Sequence, residues 1–244
     1  MNPKKIAIFV EGQTEQIFVA KLLQEMAGRK NISIQIYKLQ GKKKPSKHKP
    51  QLLEDRKIEN SPFFALLYDC TGDSQVLSDI NYQHKSLTQK NYTKIIGVRD
   101  LYPKSLEDKQ KTEQADKRTI KFFRETEIPI AMILAIMEVE AWFLAEYNFL
   151  SKIDKRLTSE FILQNYGLDL RKIDIETIPH PYDDLQKIYQ LIDRNYDKKK
   201  EEVTEIVESI NYQVLLSEVV KKVKQLEIEA SQKVWGDSPK VRGQ

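Results

Sequence analysis

The sequence predicts an α/β fold built on a mainly parallel sheet flanked by helices, with a helical appendage at the C-terminal end. Two observations carry that expectation. Apolar runs of strand length recur at residues 6–10, 32–37, 63–68, 92–98 and 130–137, and helical patterns separate several of them. The runs repeatedly give way to acids, at Glu11, Asp69, Asp100 and Glu138 with Glu140.

Residues 6–10 are five apolar residues in a row, which reads as a strand buried on both faces. Gly12 allows a sharp turn at its carboxyl end. Thr14 is a good N-cap, and Glu15 then falls where a helix dipole favours a carboxylate, so it reads as a helix-end charge rather than a ligand. Ile17, Phe18, Leu22, Leu23 and Met26 supply the apolar face of that helix. Residues 32–37 alternate as a half-buried strand, and a Lys- and Pro-rich loop follows. Residues 63–68 form a second buried strand, 74–91 a polar and partly helical stretch, and 92–98 a third inner strand. A charged helix over about 108–126 leads to the longest apolar strand, 130–137, and a helix starts at Ala141.

Beyond about residue 150 the pattern becomes helical. Residues 156–166 read as a helix stopped by Gly167, Pro179-His180-Pro181 as a stiff break, and 183–194 as another helix. A stripe from Val203 through Ile206, Val207, Ile210, Val214, Val219, Val220 and Val223 to Leu226 keeps helical spacing, with Asn211 as a possible break. The expected organisation is an α/β domain over 1–150 and a helical region over 151–244 packed on it. The stripe, together with Trp235, fits a self-association surface or a dock for a partner protein. It equally fits a bent helix pair that buries the stripe within one chain.

Composition narrows the classes. Of 244 residues, 40% are hydrophobic and 31% charged, enough for a sizeable core under a heavily charged surface. No apolar run reaches the roughly 18 residues of a membrane span, so no membrane partner is expected. The N-terminus runs directly into a core strand, and Cys70 is the lone cysteine; both suit a cytoplasmic protein without disulfides. A net charge of +4 permits a polyanionic partner without requiring one. Lys42, Lys43, Lys44, Lys47 and Lys49 crowd one segment, which is either a solvated loop or a loop that contacts nucleic-acid phosphates. Lys198-Lys199-Lys200 reads as a solvated helix end or loop, its charge partly cancelled by Glu201 and Glu202.

The acids are the chemical candidates. Parallel strands would put Glu11, Asp69, Asp100, Glu138 and Glu140 on one sheet edge. Glu138 and Glu140 would share a face if the strand continued through them and would diverge on a helix. Carboxylates crowded on one edge repel unless protonated or bound to a cation, and hard oxygen ligands suit Mg²⁺ or Mn²⁺. For any single acid a structural role, such as an ion pair of Asp100 with Arg99 or a lysine, is the plainer reading; for Glu11 the preceding strand and the Gly12 turn reverse that preference.

The run Phe9-Val10-Glu11-Gly12-Gln13-Thr14-Glu15 with Phe18 resembles the opening of topoisomerase–primase (TOPRIM) domains of the branch that includes OLD-type nucleases. A bacterial TOPRIM-like family is more similar still. Its Asp-x-Tyr is matched by Asp100-Leu101-Tyr102, and its Glu-x-Glu-Ala-Trp-x-Leu-Ala by residues 138–145. The resemblance covers about residues 5–147. It implies a metal-dependent nuclease acting on DNA or RNA, with Glu11, Asp69 and Asp100 catalytic and holding Mg²⁺ or Mn²⁺; Glu138 and Glu140 join them as candidate ligands on their spacing along a strand, not on the resemblance. It further implies a role in phage defence beside a partner ATPase. One departure stands out: where TOPRIM domains carry Asp-x-Asp, Asp100 is followed by Tyr102 and Asp69 by Thr71. The alternative is therefore a TOPRIM-fold binding or regulatory subunit of an ATPase complex.

Overall fold

The computed structural model describes residues 2–40, 49–72, 75–123, 128–172, 174 and 177–217. Its centre is a six-stranded sheet: β1 (Lys4–Val10), β2 (Ile32–Gln40), β3 (Lys49–Arg56), β4 (Phe63–Asp69), β5 (Lys94–Asp100) and β6 (Ile130–Ala135). The spatial order is β3-β2-β4-β1-β5-β6. All neighbours are parallel except β2 and β3, which pair antiparallel. β1 lies in the middle, and its alternate residues serve both faces: Ile8 and Val10 enter one core, Ala7 and Phe9 the other.

The helices divide between these faces. α1 (Gln13–Ala27) covers one, and α2 (Val76–Gln89) and α3 (Lys109–Phe122) cover the other. From β1 the chain crosses towards β2, whereas from β4 and β5 it crosses the opposite way. Crossovers of one hand running in opposite directions must place their helices on opposite faces. The change of direction falls between β1 and β5, where open α/β sheets leave a crevice at their carboxyl edge.

The α1 face is completed by α4 (Glu140–Leu144), α5 (Phe149–Ile153), α6 (Ser159–Tyr166), α7 (Pro181–Gln190) and α8 (Lys200–Ser209). One continuous core runs from Ile8 and Phe18 through Phe143, Tyr189 and Tyr196 to Val203 and Tyr212. Thr158 caps α6 by accepting the Phe161 N–H (3.1 Å), and Gly167 ends that helix in the left-handed region (φ 84°). Among the described residues no helix is long and apolar enough to cross a membrane.

Several elements depart from the sequence expectation. Lys49–Arg56 is an edge strand, not a loop; it lacks an alternating pattern because both of its faces are exposed. α1 starts at Gln13 with Gly12 as N-cap, so Thr14 lies inside the helix. Its first turn buries Thr14, Glu15 and Gln16, while Met26 is 62% exposed. Gly12 has an extended backbone (φ −155°), so its smallness matters for space: a Cβ there would stand 3.3 Å from Glu15 Oε2. β6 stops at Ala135, and Met137 takes a positive φ of 61°. The stripe from Val203 is no single long helix: α8 ends at Ser209, Ile210 is extended, and Asn211 Oδ1 accepts the Gln213 N–H (3.1 Å) to start a new turn over 212–217. Val203, Ile206, Val207, Ile210, Tyr212 and Leu215 are all buried within the chain. Val219, Val220, Val223, Leu226 and Trp235 lie outside the described residues.

Candidate functional site

The carboxyl ends of β1 and β5 meet directly. The Asp100 N–H donates to Glu11 Oε2 at 3.1 Å, so the first acid of the sequence braces the backbone of the third. The carbonyl of Glu11 accepts the Gly72 N–H (2.9 Å), which ties the turn after β1 to the turn after β4. Leu101 and Tyr102 then bond the carbonyls of Ala135 and Met137, both at 2.9 Å, and carry the frame across to the turn that bears Glu138.

Glu15 joins them from the first turn of α1. It is 5% exposed, and burial pushes its carboxyl up to about 7, with Glu140 and Glu11 adding repulsion. Asp100 is raised further, to about 10, by burial and then by Glu15, Glu11 and Glu140. Its Oδ1 is buried without a hydrogen-bond partner among the described residues. Glu140 opens α4 fully buried, and burial raises its carboxyl against the pull of Lys198. Four acids thus converge on the α1 side of the β1–β5 crevice.

The cation that acts on Glu15, Asp100 and Glu140 is Lys198, from the loop between α7 and α8. Its Nζ lies 3.1 Å from Glu138 Oε1 and 3.1 Å from Glu140 Oε2. Burial pulls the lysine down, but Glu140 and Glu138 outweigh that and hold it above its ordinary value. Its backbone sits in the left-handed region (φ 58°), a conformation that costs a non-glycine residue about 1 kcal/mol. Neighbouring groups complete the frame: the Tyr196 hydroxyl donates to Glu140 Oε1 (2.9 Å), and the Tyr182 N–H, in the first turn of α7, donates to Glu138 Oε2 (3.3 Å).

The expected residues therefore fall into three groups. Glu11, Asp100, Glu138 and Glu140 come together. Glu138 and Glu140 converge although the strand does not reach them, because Lys198 gathers both. Asp69 stands apart in its interactions: its Oδ1 accepts the Thr71 N–H (2.8 Å), and Lys38 is 3.9 Å from Oδ2. Burial raises its carboxyl, and the Thr71 N–H and Lys38 pull it down. Lys42, Lys43, Lys44 and Lys47 lie outside the described residues, as does the side chain of Lys49. The anticipated Arg99–Asp100 pair does not form; Arg99 Nη2 bonds Asp116 Oδ1 of α3 at 2.7 Å instead.

Glu15, Tyr196 and Lys198 belong to the site although sequence reasoning placed none of them there. Glu15 looked like a helix-end charge, and Lys198 like one of three solvated lysines. Only the proximity of Glu15 to Glu11 could have hinted at the first. Nothing local marks the other two, because the contacts that matter span more than fifty residues. Among the described residues no three His, Cys, Asp or Glu side chains stand together as a group that could hold a metal ion.

Residues 10–226 match a family described as a domain of unknown function (DUF4276), and the chain belongs to that family. No curated protein and no solved structure matches the chain.

Proposed function

We propose that this member of the DUF4276 family is a divalent-cation-dependent phosphodiesterase, a nuclease of TOPRIM type, with Glu11, Asp100 and Glu140 as its acidic centre. The observation that carries this reading is the surplus of buried carboxyl groups. Asp100, held near 10 with an unpartnered oxygen, has three further acids around it and one shared lysine. Such a group either keeps its protons or takes up a cation in their place. The donors are all oxygens, which fits Mg²⁺ or Mn²⁺. Glu11, Asp100 and Glu140 would hold the ion. When bound, it supplies Lewis-acid polarisation of a phosphate oxygen and activation of a water.

The chain's own residues do the rest. The Asp100 N–H fixes the Glu11 carboxylate, and the Tyr196 hydroxyl fixes that of Glu140, so two ligands are oriented in advance. Glu15, near 7, is the group suited to carry a proton at neutral pH. The lysines at 42–49 would engage phosphates of DNA or RNA. A defence role beside a partner ATPase is what the TOPRIM resemblance adds.

The test is cleavage of plasmid DNA, single-stranded DNA and RNA with Mg²⁺ or Mn²⁺. Glu11→Gln and Asp100→Asn should each lower the rate by roughly 10²-fold or more with an unchanged or higher Tm, since the first removes a charge that crowds Glu15 and Asp100 and the second replaces a carboxyl that burial already keeps protonated. Undiminished rates in both variants would end the proposal. Replacing Lys42, Lys43, Lys44, Lys47 and Lys49 by Gln should weaken binding and flatten its salt dependence; identical salt slopes would remove the loop from the interface. A second reading, a regulatory subunit without chemistry, is favoured by one observation: Lys198 already neutralises Glu138 and Glu140. Failure of the wild-type protein to cleave any substrate or to bind Mn²⁺ would support it.

A further inference from the structure

Glu138 precedes α4 and Glu140 opens it, while Val139 between them has helical angles (φ −60°, ψ −23°). Side chains two apart on such a backbone do not face one another, so the local chain does not aim both carboxylates at one point. Both nevertheless meet the Lys198 ammonium at 3.1 Å, and the second oxygen of each is pinned, by the Tyr182 N–H and the Tyr196 hydroxyl. The ring of Tyr182 closes the seat 4.8 Å from Nζ. The lysine is delivered by a braced loop: Glu202 Oε2 accepts the N–H groups of Asp197 (2.7 Å) and Lys199 (3.1 Å), one on either side of it. Its side chain keeps 31% exposure, so the ammonium has a way out to solvent.

We propose that the Glu138–Glu140 pair is a cation subsite whose resident occupant is the Lys198 ammonium, and that Lys198 is a positioning residue that gives way when a divalent cation binds. This rests on the cation-dependent reading of the acidic centre. An ammonium is a point charge on a flexible four-carbon stem, readily re-aimed. It cannot share the buried Glu140 carboxylate with a doubly charged ion without strong repulsion. Until then it keeps both carboxylates converged and lowers the cost of their burial.

The experiment uses the full chain without nucleic acid. Lysine acetylation of the wild-type protein is mapped by mass spectrometry with and without Mn²⁺, and free Mn²⁺ is counted by electron paramagnetic resonance for wild type, Lys198→Met and Lys198→Arg. Displacement predicts that Mn²⁺ raises acetylation at Lys198. It also predicts that Lys198→Met binds Mn²⁺ roughly tenfold more tightly, the scale on which neighbours of metal ligands act, while Lys198→Arg stays close to wild type. A merely structural clip predicts the reverse sign, because losing it would loosen the carboxylates and weaken binding. Bound Mn²⁺ with unchanged or reduced acetylation at Lys198, or with equal or weaker binding by Lys198→Met, overturns the displacement and leaves the metal reading standing. Absence of Mn²⁺ binding by all three proteins overturns both. The acetylation measurement needs no variant and decides the matter even if Lys198→Met fails to fold.

Discussion

Glu15 and Asp100 show at the residue scale how burial converts ordinary acids into a pH-sensitive feature. Both carboxyl groups are raised in the folded chain, from 4.5 to about 7 and from 3.8 to about 10, by burial first and neighbouring acids second. The folded protein thus holds protons that the unfolded chain releases, and stability must fall as pH rises. Their contribution is complete below the ordinary carboxylate values; for Glu15 it is lost through about 7, and for Asp100 the loss continues towards about 10. Surface acids held low by arginine, such as Asp154 beside Arg156, change stability only at or below about pH 4. The metal-free protein should therefore lose Tm between about pH 5 and pH 8, and Mn²⁺ should restore it at the higher pH. A melting temperature that is flat or rises over that range would contradict the burial of these acids. Glu11 and Asp100 were legible as strand-end acids; the state of Glu15 was not, since it depends on which side of α1 meets the sheet.

Element placement turns on a few polar contacts among many apolar ones. α3 is highly charged and carries little apolar surface, so its attachment to β5 leans on Arg99 and Asp116, whose side chains are 13% and 6% exposed. Arg99→Met should leave Asp116 buried without this partner and cost about 3 kcal/mol, read from the denaturation midpoint. A loss below about 0.5 kcal/mol would show the pair to be as dispensable as a surface salt bridge. Strands with apolar runs on both faces, β1 and β4, were readable from pattern. β3 was not, because an edge strand with both faces wet has no hydrophobic period to read. The stop of α8 at Ser209 was foreshadowed by Asn211, whose side chain caps the next turn, whereas the apolar stripe continues through the bend.

For the whole molecule, the site and the main core are both shared between the N-terminal sheet and the C-terminal helices. Phe18 of α1 packs against Trp142, Phe143 and Tyr212, with ring centroids 5.8, 5.5 and 6.2 Å away. Lys21 reaches Glu208 of α8 in a part-buried ion pair. Residues 1–150 expressed alone should lack cooperative thermal unfolding and aggregate, because Ile8, Val10, Ile34 and Phe18 would lose the helices that cover them. A sharp two-state transition in that fragment would show the α/β part to be self-sufficient.

The division between sequence and structure follows from range. Five apolar runs and the acidic ends of four of them are local chemistry, as is the helix stop at Gly167, and the runs with their acids specify a parallel α/β sheet with acids at its carboxyl edge. The position of β1 at the centre, the reversal of crossovers beside β5 and the meeting of Glu11 with Asp100 depend on strand order, which no local pattern encodes. The seating of Lys198 between Glu138 and Glu140 depends on packing a helical segment sixty residues downstream against the same edge. A lysine in a cationic run is solvated by default; it becomes part of an acidic centre only when the fold removes its water and supplies carboxylates instead.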